Sequence, residues 1–259
     1  MGPDIAQQLW EARQAGRTVS ADALGMISDQ TAAYALQTAM TTLSGAAIVG
    51  WKLGATSAAS QKALGLSGPF YGPLLAPFCL DLGATVFGVT SFGPGGEGEF
   101  ALVIGEDLAP RATPYTEDDV AAAVAAACPA LEIAGTRLTG GVLGADPCHL
   151  IADDAANAAF IAGSPVKDWR DLDLAAQTAV LTVNGIEKGQ GTGADALGGP
   201  LTALTWFVNE RCGQGRTVNA GDIVTTGTCT GFVPLAAGDE VVLDCGALGH
   251  VSATVGEAA

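Results

Sequence analysis

Apolar and polar positions alternate most clearly over residues 95–104, Gly-Gly-Glu-Gly-Glu-Phe-Ala-Leu-Val-Ile. A strand sends successive side chains to opposite faces. Phe100, Leu102 and Ile104 therefore share one face, while Glu97, Glu99, Ala101 and Val103 share the other. Two carboxylates at the mouth of a buried strand repel each other and lose hydration, which is costly unless a cation lies between them. An exposed strand end, with both acids in water, accounts for the pair as well. The segment Ala130-Leu131-Glu132-Ile133-Ala134 shifts the balance, because a lone acid between Leu131 and Ile133 has no packing rationale and offers a third ligand.

The same periodicity predicts the other elements. Residues 4–15 form a helix with Asp4 as N-cap and Ile5, Leu9 and Trp10 on one face, and a second helix runs from Ser28-Asp29 to Gly45. These two make a helical N-terminal segment, residues 1–46, either lid or cladding for a body over 47–259. Ile48 to Ser57 reads as a strand with Lys52 embedded in it, followed by a turn-rich stretch from Pro69 to Leu74. Lysine is seldom buried without a partner, so Lys52 is either a proton-transfer group or a strand-edge lysine whose head reaches water. Thr116-Glu117-Asp118-Asp119 starts a helix that the alanines carry to Cys128, where Pro129 stops it. Further on come an apolar run (158–161), a hairpin turning at Asn184-Gly185, a helix over 200–210, and strands at 223–226 and 240–244, the last of the chain.

Composition narrows the function. The 259 residues carry 27 acids against 11 bases, a formal net charge of -16, so no basic stripe exists to meet phosphates and no nucleic-acid partner is expected. An anionic substrate needs a local positive centre against that field. The six cysteines are scattered without a C-x-x-C pair and suit buried, reduced thiols of a cytoplasmic protein. Cys148-His149 would need further ligands to hold zinc, and His250 is the only other histidine. Met1-Gly2-Pro3-Asp4 does not begin a secretory signal, and no stretch has the length of apolar residues that a membrane span requires. A P-loop and a G-x-S-x-G motif are both missing, and Gly189, Gly191 and Gly193 have the wrong spacing for a dinucleotide fingerprint.

Taken in order, several segments resemble the fumarylacetoacetate hydrolase superfamily, most closely its 2-keto-4-pentenoate hydratase and 4-oxalocrotonate decarboxylase branch. They are Gly50-Trp51-Lys52-Leu53-Gly54-Ala55-Thr56-Ser57, Tyr71-Gly72-Pro73-Leu74, Glu97-Gly98-Glu99, Pro129-Ala130-Leu131-Glu132-Ile133, Ala152-Asp153-Asp154-Ala155-Ala156-Asn157 and Gly221-Asp222-Ile223-Val224-Thr225-Thr226-Gly227. The resemblance implies an α+β fold, a twisted mixed β-roll with surface helices behind the helical N-terminal segment, usually assembled as a homo-oligomer. It places a divalent metal on Glu97, Glu99 and Glu132. Three carboxylates make a hard, oxygen-only site suited to Mg²⁺ or Mn²⁺, with positions left over for a 2-keto acid substrate.

By the same resemblance Lys52 is the active-site lysine, and Ser57, Tyr71 and Thr228 contact substrate. Two positions depart from the pattern. Many hydratases of this branch carry an aspartate before the aromatic-glycine pair, where this chain has Phe70, and a frequent histidine before the late-helix proline is Gly199 here. With Phe70 in place, the second proton-transfer group must come from elsewhere, either Asp153 or a water on the metal. Arg137 is a candidate for a second substrate carboxylate or for a surface ion pair. The expected activity is hydration of a small unsaturated 2-keto acid of the 2-hydroxypenta-2,4-dienoate type, in the breakdown of aromatic compounds. A decarboxylase or acylpyruvate-type C–C hydrolase on the same metal is the alternative, as is a non-catalytic subunit that stabilises such an enzyme.

Overall fold

Residues 5–257 are described by a computed structural model of the chain. Three helices come first: α1 (Ile5–Gln14), α2 (Ala21–Leu24) and α3 (Gln30–Ser44). The Asp29 carboxylate accepts the Ala32 N–H at 2.9 Å and Gly45 closes α3 with φ 62°, the N-cap and left-handed C-cap that the residue types predict. Asp4, the expected cap of α1, lies outside the described residues.

The body runs β1 (Ile48–Gly54), α4 (Ala58–Leu64), β2 (Phe70–Leu75), β3 (Cys79–Leu80), β4 (Thr85–Val86), β5 (Gly95–Ile104), α5 (Glu117–Ala123) and β6 (Val124–Ala134). Then come α6 (Pro147–Ala152), β7 (Asn157–Ala162), β8 (Thr178–Val183), β9 (Ile186–Thr192), α7 (Pro200–Gly213), β10 (Ile223–Thr225), β11 (Val233–Pro234), β12 (Glu240–Asp244) and β13 (His250–Val255).

Two mixed sheets organise these strands. The larger has the order β2-β1-β10-β5-β6-β7-β3 with β11 on β5, and the smaller has β4-β13-β12-β8-β9. β1 and β10 pair in parallel, whereas β5 and β6 are antiparallel, so the fold is α+β with mixed sheets as expected. Phe100, Leu102, Ile104, Leu131 and Ile133 form one face of the large sheet and pack with Leu181, Val241, Leu243 and Val251 of the small one. Each such side chain contributes roughly 1.5–3 kcal/mol on burial. On the other face Leu74 of β2 and Phe160 of β7 belong to one cluster with Ala101, Cys128 and Ala130, although four strands separate β2 from β7 in sheet order. The large sheet therefore curls, and the face that carries the glutamates lies inside the curl.

Three expectations need correction. The helix starting at the Thr116 capping box ends at Ala123, and Val124 to Ala134 is strand. The run of alanines has helical propensity, but pairing with β5 on one side and an Ala127–Val166 bridge on the other outweighs it. Pro129 is tolerated because the β7 ladder starts only at Ala130, and its carbonyl still accepts the Gly163 N–H at 2.8 Å. The turn-rich stretch before Phe78 is strand β2, with Pro73 acceptable on a sheet edge. β12 is followed by one more strand, β13, its antiparallel partner.

The N-terminal helices are joined to the body by packing. Leu9, Ala33 and Met40 share a buried cluster with Phe70, Leu150, Ile151 and Ala155. Arg13 of α1 also reaches across, donating to the carbonyls of Asn157 at 2.7 Å and Ala158 at 3.0 Å.

Candidate metal and active site

Register decides which side chains meet. Glu97 stands directly opposite Glu132 in the β5–β6 ladder, and Glu99 is two residues on, so all three project from one face. One oxygen from each lies within 4.8 Å of the other two, the geometry of a three-carboxylate cluster. Glu99 and Glu132 are fully buried, and Glu97 is partly buried at the rim. Among the described residues this is the only group of three metal-ligating side chains so disposed.

Lys52 enters from β1. Its Nζ is 3.1 Å from Glu132 Oε2 and donates to the Ala155 carbonyl at 3.0 Å. That carbonyl is presented by an unusual turn, in which Asp154, Ala155 and Ala156 have φ of 56°, 52° and 60°. Left-handed conformations cost non-glycine residues roughly 1–2 kcal/mol each, so the surrounding structure must hold the turn. Asp153 and Arg137 do so. Asp153 accepts from Arg137 Nε at 2.6 Å, from the Arg137 N–H at 2.7 Å and from Thr136 Oγ1 at 2.6 Å, all fully buried. Arg137 Nη1 adds a hydrogen bond to the Asn157 carbonyl at 2.7 Å. Gly72 completes the approach, since a Cβ there would meet the Ala155 methyl at 2.6 Å.

The electrostatics favour a cation. At an effective dielectric near 20, two carboxylates under 5 Å apart repel by about 3 kcal/mol per pair, and the Lys52–Glu132 contact returns about 5. Three negative charges against one positive leave an excess that one divalent cation balances. Burial first, then the neighbouring Glu132, pushes Glu97 up to about 7 and Glu99 well above the usual carboxylate range. Burial disfavours the Lys52 ammonium, yet Glu132, Glu97 and Glu99 together hold its pKa above the ordinary value. Glu99 Oε1 has no hydrogen-bond partner, and Glu132 Oε2 has only the Lys52 ion pair. Buried acceptors so exposed to one another fit a divalent cation with oxygen ligands.

Protons and the cation compete for these oxygens, which sets a pH dependence. Glu97 loses its bound proton as the pH rises through about 7, so Mg²⁺ affinity should rise from about pH 6 to pH 8, by up to about tenfold per unit at the lower end. Calorimetric titration across that range checks it, and a flat affinity would contradict the buried-cluster geometry.

The remaining expected site residues are placed as follows. Thr228 follows Gly227, whose N–H donates to Glu99 Oε2 at 2.9 Å, and its own hydroxyl closes the local turn by donating to the Gly231 carbonyl at 3.2 Å. Gly227 has φ 96°, and a Cβ there would lie 1.9 Å from Thr56 Oγ1, so the close approach demands glycine. Ser57 is taken up in capping α4, where its hydroxyl accepts the Ser60 N–H at 3.1 Å. Tyr71 does not join the site. It pairs with Leu53 in register, on the face opposite Lys52, and its hydroxyl donates to Gln214 at 2.8 Å. Asp153 does not join it either, since Arg137 and Thr136 occupy its carboxylate behind the Ala155 turn.

Asp153→Ala should therefore act on stability rather than on proton transfer, costing about 3–5 kcal/mol by leaving Arg137 buried and unpaired. Denaturant unfolding measures that, and a fully stable but inactive variant would restore a catalytic role. Arg137 is likewise a buried support and not a surface residue. Phe70 shares the Lys52 face, its ring centre 5.7 Å from Nζ. Gly199 caps α7 with extended backbone.

Two supports escaped the sequence reading. Asn157 Nδ2 donates to Glu132 Oε1 at 3.1 Å, fixing that carboxylate. The Ala155 carbonyl has no side-chain signal at all, and only the polar cluster from Asp153 to Asn157 hints that backbone there is specially held.

Residues 88–256 match the fumarylacetoacetate (FAA) hydrolase C-terminal family, a span that takes in both glutamate-bearing strands, β5 and β6, and runs through β13. The chain belongs to this family. Family members similar over nearly the whole length include the TodF product hydratase of Pseudomonas putida, 34% identical over 98% of this chain and 94% of that one. The 2-keto-4-pentenoate hydratase of Burkholderia vietnamiensis is also 34% identical, over 98% and 97%. Among solved structures, 4-oxalocrotonate decarboxylase from Pseudomonas putida G7, complexed with magnesium and adipate, superposes with a TM-score of 0.86 at 28% identity, covering 97% of this chain and 95% of its own. Within the family, the curled sheet seen here brings Glu97, Glu99, Glu132 and Lys52 together at its inner face.

Proposed function

We propose that this chain is a divalent-cation-dependent hydratase that adds water to a small unsaturated 2-keto acid of the 2-hydroxypenta-2,4-dienoate type, in the breakdown of aromatic compounds. One observation carries the reading: Glu97, Glu99 and Glu132 converge on one point with the Lys52 ammonium 3.1 Å from Glu132. Full-length similarity to named hydratases supports the choice of reaction. Glu97, Glu99 and Glu132 would hold Mg²⁺ or Mn²⁺, which when bound supplies Lewis-acid stabilisation of negative charge developing on the 2-oxygen of a keto acid.

The chain's own groups do the rest. Lys52 has three N–H donors, of which Glu132 and the Ala155 carbonyl account for two, leaving one for substrate. Held charged by the glutamates, it orients the substrate anion or delivers a proton to it. Asn157 and the Gly227 N–H each bind one carboxylate oxygen and so fix how Glu132 and Glu99 point. Thr228 is proposed to contact substrate through its hydroxyl, which in the free protein donates to the Gly231 carbonyl at 3.2 Å. Phe70 lines the Lys52 face with an apolar ring, so water must be activated without an acid at that position. The scattered free cysteines suit a reducing compartment, and we place the enzyme in the cytoplasm as a homo-oligomer. No described helix is long and apolar enough to cross a membrane.

Phe70 also favours a second reading, decarboxylation or C–C cleavage of a related keto acid, which shares the charge stabilisation but not the demand for an activated water. The deciding experiment follows loss of the dienol absorbance of 2-hydroxypenta-2,4-dienoate with Mg²⁺, beside oxaloacetate and an acylpyruvate. Slow but measurable hydration is expected. Turnover of either comparison substrate with none of the dienoate would overturn the hydratase reading and leave the cation site standing, whereas no turnover of any would support a stabilising subunit. Phe70→Asp should raise the hydration rate by about tenfold or more, since an acid beside Lys52 supplies the missing proton-transfer group. An unchanged or lower rate in a folded variant would refute that role for the position.

A further inference from the structure

A cavity of about 600 Å³ opens on the outer face of β1 and β2, lined by α3 and the C-terminal end of α7. Its walls include Tyr34, Trp51, Tyr71, Arg211, Gln214 and Arg216. The strands themselves separate it from the glutamate cluster, because Trp51 and Tyr71 project to one side and Lys52 and Phe70 to the other. We propose that this cavity is a second binding site, for a small planar carboxylate, with Arg211 and Arg216 holding the carboxylate and the aromatic side chains stacking on its body. The proposal does not rest on the hydratase reading.

Two donors at this site lack acceptors. Arg211 is only 7% exposed, and its guanidinium carbon lies 3.9 Å from the centre of the Trp51 ring. Arg211 Nε and Trp51 Nε1 are both buried without a hydrogen-bond partner. No carboxylate of the described residues comes within ion-pair distance of Arg211 or Arg216. The Tyr71 hydroxyl, which donates to Gln214, is the one side-chain oxygen that Arg211 meets, while Asp222 acts on it only from further away and already accepts the Asn219 N–H. Glu210, the acid nearest Tyr34, is exposed and pairs with neither arginine.

Unpaired buried cations are rare, and unsatisfied donors on a cavity wall call for an acceptor. A carboxylate answers both needs, since a guanidinium held over an indole can still offer N–H groups to an anion in the cavity. The planar body follows from the walls. Tyr34 and Tyr71 are already stacked with centroids 4.6 Å apart, and Trp51 meets Tyr71 edge-on at 5.9 Å. The volume falls in the range of small-molecule sites. In a chain of net charge -16, two arginines without ion pairs make a local positive centre that draws such an anion.

Calorimetric titration of the full-length, Mg²⁺-supplied protein with benzoate tests this, with neutral benzamide as the isosteric control. Benzoate should bind with a Kd of about 1 mM or tighter and benzamide at least about tenfold more weakly. Arg211→Met should weaken benzoate by about tenfold or more, and Arg216→Ala and Trp51→Phe by about threefold, while Glu97→Gln leaves it unchanged. Arg216 is exposed and Trp51→Phe keeps an aromatic ring in the wall, so these two variants decide the matter even if Arg211→Met does not fold. No saturable binding up to about 20 mM, equal binding of benzamide, or loss in Glu97→Gln with retention in Arg216→Ala and Trp51→Phe would each overturn the proposal.

Discussion

Glu132→Gln should lower turnover by at least about 10³-fold and abolish tight cation binding, the largest effect expected of any single substitution. Glu132 is the charge that bears most strongly on both other acids, and it is also the partner of Lys52. Glutamine keeps its volume and its hydrogen bond from Asn157 within reach, so the change is almost purely one of charge. The cluster then carries two negative charges against Lys52, too few to balance a divalent cation. Calorimetric titration with Mg²⁺ and the dienoate assay read the two effects separately, and thermal unfolding confirms that the variant is folded. Wild-type cation affinity in a folded Glu132→Gln variant would remove this residue from the site.

Lys52→Met should cost at least about 10²-fold in kcat while cation affinity stays the same or tightens. The direction of the second effect is what discriminates. Removing the ammonium takes away the one positive charge facing the glutamates, which leaves the cluster more negative and more attractive to Mg²⁺. A lysine that merely held the carboxylates in place would instead lose cation binding along with activity. A rate near that of the wild type would make Lys52 structural.

Much of this site was legible before any coordinates. Period-two alternation put Glu97 and Glu99 on one face, and the isolated Glu132 pointed to the neighbouring strand, because a strand rule is local and side-chain direction follows from it. Lys52 stood out for the same reason, as a charge with no surface to occupy. What could not be read was long-range pairing. The alanines before Pro129 read as helix until β5 claims them, and Tyr71 reads as a site residue until register sets it opposite Lys52. Asp153 carries an acid's promise, but its role is decided by Arg137, sixteen residues earlier and adjacent only in the folded turn. The strained carbonyl of Ala155 had no sequence signature, since any residue can present a backbone oxygen.

The central claim is that Glu97, Glu99 and Glu132 hold one divalent cation, and anomalous diffraction from Mn²⁺-soaked crystals tests it most directly. One strong peak per chain is expected, about 2.0–2.3 Å from an oxygen of each of the three glutamates. A structure with saturating Mn²⁺ and no peak among these three carboxylates, or a peak that leaves Glu132 out, would contradict it.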